Sequence, residues 1–326
     1  MLTPYLTKIK IHQTRPLFSN LLRKDFSTQK TLPHIVIEVP GSGQGRDCPN
    51  RCESCVSDLT KAYGLVDNVF LFRKTKFPTN ERLKQVLKKR LSWLCGIGCQ
   101  HVILTGCGSD PILNRKYLEL FDQVNQSLQR PFTNIDIQTS GICINEKKLE
   151  FLKSIGVNVF SLSLFSLLDH LNAKIMHTPP SLQYPIKDIC QTIKNSGLDL
   201  RISLNVNSVG FSPNIPKMVE QSLSLGAQQI TFRKLYSEPH NKSPQNQWIQ
   251  KFEMNDRFWE NLIDYFAQNA KKLNNNPFSQ FFHYKNTSFL VDQNCMNKLE
   301  KKNKYFILRK NGKIYTQWDD TNSLIF

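Results

Sequence analysis

Asp47-Cys48-Pro49-Asn50-Arg51-Cys52-Glu53-Ser54-Cys55 follows an apolar run, Ile35-Val36-Ile37-Glu38-Val39, and these two stretches together decide the fold. Three cysteines fall within eight residues at C-x3-C-x2-C spacing. Thiolates so close in sequence repel one another unless a metal centre neutralises them, and soft sulfur ligands favour iron-sulfur clusters or zinc. A structural zinc site takes four ligands, and no second C-x2-C or matched Cys/His pair follows at zinc-ribbon spacing. Three thiolates suit a four-iron cubane in which one iron stays open to a small molecule.

Outward from that loop the chain alternates helical and strand periodicities, the pattern of a parallel α/β architecture. Leu83, Val86, Leu87, Leu91 and Leu94 follow helical spacing and lead through Gly96 and Gly98 into a strand over 101–105. Tyr117, Phe121, Val124 and Leu128 mark the next helix, with a strand over 135–139; Leu149 and Leu152 precede a strand over 157–164. Two more units place helices over 186–195 and 215–225 before strands over 200–206 and 229–233. Gly98, Gly156, Gly197 and Gly226 stand where helix gives way to strand, a position that favours a left-handed backbone. Six strands in this alternation predict a partial (β/α)6, TIM-like barrel with right-handed crossovers.

Beyond Arg233 the pattern changes. Residues 237–256 read as a polar linker or lid, and Phe258, Leu262, Tyr265, Phe266 and Leu273 as one amphipathic helix. A strand is expected over 289–291, and a small β-hairpin over 305–317 around Asn311-Gly312. The expected organisation is a basic N-terminal arm over 1–33, a barrel over 34–235 and a C-terminal extension over 236–326.

The C-x3-C-x2-C loop after the first strand resembles the hallmark of the radical S-adenosylmethionine (radical SAM) enzymes. The resemblance covers roughly residues 34–235. It implies that Cys48, Cys52 and Cys55 hold a 4Fe-4S cluster whose open iron binds the amino and carboxylate groups of S-adenosyl-L-methionine. An electron from an external, flavodoxin- or ferredoxin-like donor then gives methionine and a 5′-deoxyadenosyl radical, which takes hydrogen from substrate. Thr105-Gly106-Cys107-Gly108-Ser109-Asp110-Pro111 looks like a variant of the family's Gly-Gly-Glu-Pro loop, so Gly106, Gly108, Ser109 and Asp110 are expected beside the methionine amino group. Gln138-Thr139-Ser140-Gly141 resembles the Thr-Asn-Gly often found after the third strand. Ser163 and Asn205, on strands four and five, match positions that bind the ribose hydroxyls or the methionine carboxylate. Ser54 departs from the family, which usually has an aromatic residue just before the third cysteine.

The remaining residues bound the possibilities. Nine cysteines in 326 residues without a secretory signal argue against a disulfide framework. Cys95, Cys99 and Cys107 suit buried structural thiols, and Cys143, Cys190 and Cys295 stand alone. With 40% hydrophobic residues the chain can bury a large core, and no run approaches the ~18 apolar residues of a membrane span. A cytoplasmic protein is expected, although Met1 to Lys30 weakly resembles a transit peptide. The net charge of +17 predicts affinity for an anionic partner of some kind. Lys298, Lys301, Lys302, Lys304, Arg309, Lys310 and Lys313, interleaved with Tyr305, Phe306 and Trp318, have the composition of a nucleic-acid surface or of an ordinary solvated face. The substrate expected is therefore open: a peptide, a nucleic acid or a metabolite. The competing reading is a non-catalytic, zinc-stabilised RNA-binding protein. Arg233, closing strand six, could hold a carboxylate or phosphate.

Overall fold

Side chains alternate along a strand, so one segment can face two environments, and the central strands here use that freedom to separate aliphatic from polar residues. In the computed structural model, which describes residues 34–41, 47–61, 80–238, 240–274, 276, 279–293, 305–318 and 320–325, the six expected strands form. They are β1 (His34–Val39), β2 (His101–Gly106), β3 (Asn134–Thr139), β4 (Val159–Leu164), β5 (Asp199–Val206) and β6 (Gln229–Lys234). All five adjacent pairs are parallel. The helix between β1 and β2 that reaches the sheet is α2 (Asn80–Gly96), preceded by the short α1 (Val56–Lys61). The later crossovers carry α3 (Arg115–Gln126), α4 (Glu146–Ser154), α5 (Asp169–Met176), α6 (Ile186–Asn195) and α7 (Ile215–Leu223).

One strand face supplies Ile35, Ile37, Leu104, Ile137, Phe160, Leu162, Ile202 and Phe232 to a single core shared with Leu87, Phe121, Leu149, Ile193 and Val219 of the helices. The opposite face carries a polar layer, because Glu38 pairs in register with Thr105, Thr105 with Gln138, Gln138 with Ser161, and Ser161 with Arg201. Asparagine side chains cap α3, α4 and α7, Asn114, Asn145 and Asn214 each accepting from a backbone N–H of the first turn. Gly98, Gly156, Gly197 and Gly226 have φ of 95°, 85°, 77° and 69°, the left-handed backbone expected at those junctions.

Several segments differ from the sequence reading. Residues 237–256 are not merely a polar linker: α8 (Pro244–Phe252) forms there, with Ser243 accepting from Asn246 N–H and Pro244 opening the helix. Between β4 and α6, where the sequence pattern assigns no element, α5 forms, ended by His177 in the left-handed region at φ 47°. The amphipathic helix α9 (Asp256–Asn269) stops before Leu273, whose N–H instead bonds Phe281 O.

The C-terminal strands join the barrel sheet at both of its edges. Strand β7 (Lys271–Lys272), β8 (Ser279–Tyr284) and β9 (Thr287–Asp292) extend it beyond β6, with β9 parallel to β6. Strand β10 (Tyr305–Leu308) runs parallel to β1, and β11 (Ile314–Tyr315) closes the expected hairpin against it. The strand order is β11-β10-β1-β2-β3-β4-β5-β6-β9-β8-β7, an open sheet. Tyr305, Ile307 and Tyr315 pack with Val36 and Ile103 in a second, smaller apolar cluster.

The tail is therefore not a uniformly solvated basic face. Arg309 is buried against Glu38, and Tyr305 is buried as well. Lys298, Lys301, Lys302, Lys304 and Cys295 lie outside the described residues, as does the N-terminal arm. Among the described residues no helix is long and apolar enough to cross a membrane.

Candidate active site

The cysteine loop is pinned to two different parts of the sheet. On one side Asp47 N–H and Cys48 N–H both donate to Gly108 O, at 3.0 and 3.2 Å, while Gly108 N–H donates to Ser57 Oγ at 3.0 Å. On the other side Arg51 N–H and Glu53 N–H donate to Met176 O and Ile175 O, at 2.9 and 3.0 Å. The Glu53 carboxylate meets His177 Nε2 at 2.8 Å, tying the loop again to the end of α5. Within the loop Arg51 donates to Cys48 O and to Asn50 O. Thus the segment between Cys48 and Cys55 spans from the loop after β2 to the helix after β4, at the carboxyl ends of the strands where parallel α/β folds collect their chemistry.

Cys48, Cys52 and Cys55 are half-buried, and Cys52 packs against the apolar cluster of Phe165, Ile175 and Met176. Among the described residues, no three His, Cys, Asp or Glu side chains form a ready-made group for a single metal ion. A cubane makes a different demand, since each thiolate binds a different corner iron and the sulfurs stand apart. Three soft donors on one short, externally pinned loop fit that demand. Ser54, where the family usually carries an aromatic side chain, is 2% exposed.

The loop after β2 is built by its glycines. A Cβ on Gly106 would lie 1.8 Å from the backbone oxygen of Ser109, so only glycine fits there. Gly108 has φ +67°, which turns its peptide toward the cysteine loop. Ser109 Oγ donates to Val39 O at 2.8 Å. Asp110 is buried and accepts four hydrogen bonds: from Thr139 Oγ1 at 2.5 Å, Ser140 N–H at 2.9 Å, Ser140 Oγ at 2.7 Å and Ile112 N–H at 3.3 Å. Burial pushes the Asp110 carboxyl above the usual carboxylate range, and the donors from Thr139 and Ser140 work against that rise.

Ser163 and Asn205 lie on the polar face of β4 and β5, half-buried, with weak partners in Gln138 Nε2 at 3.5 Å and Leu164 O at 3.4 Å. Asn205 stands in register with Arg233 of β6. Deeper, Arg201 pairs with the fully buried Asp136, while Ser161 and Ser203 are closed off from water. Asn207 is a loop anchor, donating to Phe165 O and accepting from Gly210 N–H.

Sequence reasoning missed three features: the Glu38–Arg309 pair, the clamp of the cysteine loop on α5, and the Ser140–Asp110 contact. Glu38 in an otherwise apolar strand was the signal for the first. Cys107 is buried next to that pair, and its thiol is pushed up to about 12 by burial and then by the Glu38 charge, so it is a protonated packing group.

The fold and site together are those of an open, mostly parallel α/β half-barrel with a three-thiol loop at the carboxyl ends of its strands. The model of the radical SAM superfamily matches residues 44–226, more than half of the chain. The chain belongs to the radical SAM superfamily and is an enzyme of that class, which implies a 4Fe-4S cluster and S-adenosylmethionine as cofactors. Among solved structures it is similar to SuiB of Streptococcus suis bound to S-adenosylmethionine, at 15% identity and a TM-score of 0.53, covering 87% of this chain and 60% of that one. It is also similar to native anSMEcpe with bound AdoMet, at 13% identity and a TM-score of 0.54, covering 88% of this chain and 75% of that one. The chain thus spans about 60% of the length of SuiB. No curated protein matches it.

Proposed function

We propose that Cys48, Cys52 and Cys55 hold a 4Fe-4S cluster, and that the enzyme reductively cleaves S-adenosylmethionine to abstract hydrogen from its substrate. The observation that carries this reading is the cysteine loop pinned at Gly108, Ile175 and Met176, so that the protein and not the metal sets where the three sulfurs start from. When bound, the cluster and S-adenosylmethionine supply one electron and one cleavable sulfonium bond, which yield a carbon radical able to take hydrogen. The chain's own residues bind and shield. Gly106 and Gly108 let the β2 loop approach closely, Ser109 and Asp110 hold that loop in shape, and Ser163 and Asn205 offer hydrogen-bonding side chains on the polar wall. The sealed layer beneath, around Asp136, Ser161 and Ser203, keeps bulk water from reaching the wall from below.

The electron comes from an external flavodoxin- or ferredoxin-like protein. A peptide is the substrate to test first, because SuiB has been seen bound to its precursor peptide SuiA on a fold like this one. The decisive experiment is anaerobic reconstitution with iron and sulfide, followed by dithionite and S-adenosylmethionine. A 4Fe-4S spectrum together with 5′-deoxyadenosine is expected. One zinc, no labile sulfide and no nucleoside product would overturn the reading in favour of a zinc-stabilised protein.

A further inference from the structure

The four hydrogen bonds that Asp110 accepts leave its carboxylate little to offer a ligand. The residue is 4% exposed, and both oxygens are already engaged by Thr139, Ser140 and Ile112. Thr139 is spent in the same way, since its hydroxyl donates to Asp110 and accepts from Gly141 N–H at 3.0 Å. Ser140 differs. Its hydroxyl proton goes to Asp110 Oδ2 at 2.7 Å, its backbone N–H goes to the same oxygen, and nothing among the described residues donates to its Oγ. Ser140 is also half-buried rather than sealed, and it lines a cavity of about 300 Å³ together with Gly141, Met176 and Asn50 of the cysteine loop.

A serine whose proton is committed to a carboxylate presents lone pairs only, and the hydrogen bond it makes strengthens it as an acceptor. Most of the cavity's remaining lining comes from α5 and the loop after it, and Asn50 brings in the loop that carries the three thiols. We propose that Ser140 accepts the hydrogen bond from the amino group of S-adenosylmethionine, and that Asp110 is a positioning residue which fixes the Ser140 hydroxyl and never touches the cofactor. This rests on the radical SAM reading above. It moves the amino-group contact from the loop after β2, where the sequence resemblance put it, to the loop after β3.

The test is equilibrium dialysis of the anaerobically reconstituted protein against S-adenosylmethionine and against its des-amino analogue. Ser140→Ala is expected to weaken S-adenosylmethionine about tenfold, equivalent to about 1.4 kcal/mol, and to leave the des-amino analogue unchanged, with iron content and melting temperature close to the parent's. Ser140→Thr, which keeps the hydroxyl, should restore most of the loss. Asp110→Asn should weaken binding in the parent and add little in a Ser140→Ala background, since both act through one hydroxyl. The inference is overturned if Ser140→Ala binds S-adenosylmethionine like the parent, or if Asp110→Asn costs the same with and without Ser140. A parent protein that takes up iron but binds neither compound sinks the radical SAM reading and the inference with it, a result distinct from selective loss in the variants.

Discussion

Arg309→Met tests whether the C-terminal hairpin is held to the barrel by one buried ion pair. In the parent, Arg309 donates from one guanidinium nitrogen to Glu38 Oε1 at 3.1 Å and from the other to Trp318 O, and its head group lies 5.3 Å from the rings of both Tyr315 and Trp318. The side chains of Arg309 and Glu38 are 2% and 4% exposed. Methionine fills much of the volume but strands the Glu38 carboxylate with Lys310 N–H, 3.1 Å away, as its remaining partner on the tail. Removing one member of a buried pair costs about 3–5 kcal/mol, because the survivor is a desolvated charge. Against a typical total of about 5–15 kcal/mol this is a large fraction. The double variant Glu38→Gln, Arg309→Met has no stranded charge and should recover about 2 kcal/mol or more relative to Arg309→Met alone. Urea unfolding of the parent, the two single variants and the double variant at pH 7 gives the coupling directly. A loss below about 1 kcal/mol for Arg309→Met, or strict additivity across the cycle, would show that solvent reaches the pair and that the hairpin is held by Tyr305, Ile307 and Tyr315 instead.

Gly106→Ala should impair iron uptake on reconstitution, because the new methyl would lie 1.8 Å from Ser109 O and displace the Gly108 peptide that holds Asp47 and Cys48. Gly96→Ala, with nothing within 4 Å of its Cβ, is the control, and equal iron content in the two variants refutes the reasoning. Cys99, Cys107 and Cys190 are each pushed up to about 12 by burial, from 9.0. A thiol whose folded pKa is raised stabilises fully below pH 9 and loses that contribution as pH climbs toward 12, since the unfolded chain releases its proton first. Each buried thiol then contributes a slope of about 1.4 kcal/mol per pH unit. The urea midpoint should fall steadily from pH 9 to 10.5, less so in Cys190→Ala; a flat profile defeats the assignment. His177→Ala should cost less than about 1 kcal/mol, because its contact with Glu53 is half exposed on both sides, and a double-mutant cycle with Glu53→Ala measures it.

How much of this was legible in the sequence depends on how local the signal is. The six strands and the glycines between helix and strand could be read because each is encoded within a few residues, by alternation and by a backbone only glycine adopts easily. α8 was hidden by its polar composition: its start lies in Ser243-Pro244 and its burial in Ile249, too few apolar residues to show a period. α5 was masked by the Pro179-Pro180 turn after it. The parallel pairing of β10 with β1 could not be read at all, since it joins residues about 270 apart in the chain and parallel strands leave no turn signature between them. For the same reason Arg309 looked like one more surface cation in a basic run, when its partner Glu38 sits in the first strand.

The thiols themselves were plain from spacing alone, whereas what positions them was not, and the reason is chemical. Three cysteines on one loop give up their protons as a cluster binds, and the thiolates repel one another until the metal centre neutralises them, so the sulfurs do not by themselves set the loop's path. Backbone hydrogen bonds to Gly108 on one flank and to Ile175 and Met176 on the other fix the loop's path, and Arg51 and the Glu53–His177 contact add to them. Because carbonyl acceptors are available at any residue, they leave no mark in a sequence except where the chain must bend to present them. Gly108, with φ +67°, is that mark, and it lies inside the same loop that carries Asp110. The cysteine loop and the acid-bearing loop after β2 are therefore one mechanical unit: a change that shifts Gly108 moves Cys48 and Asp110 together, and with Asp110 the Ser140 hydroxyl in the loop after the neighbouring strand.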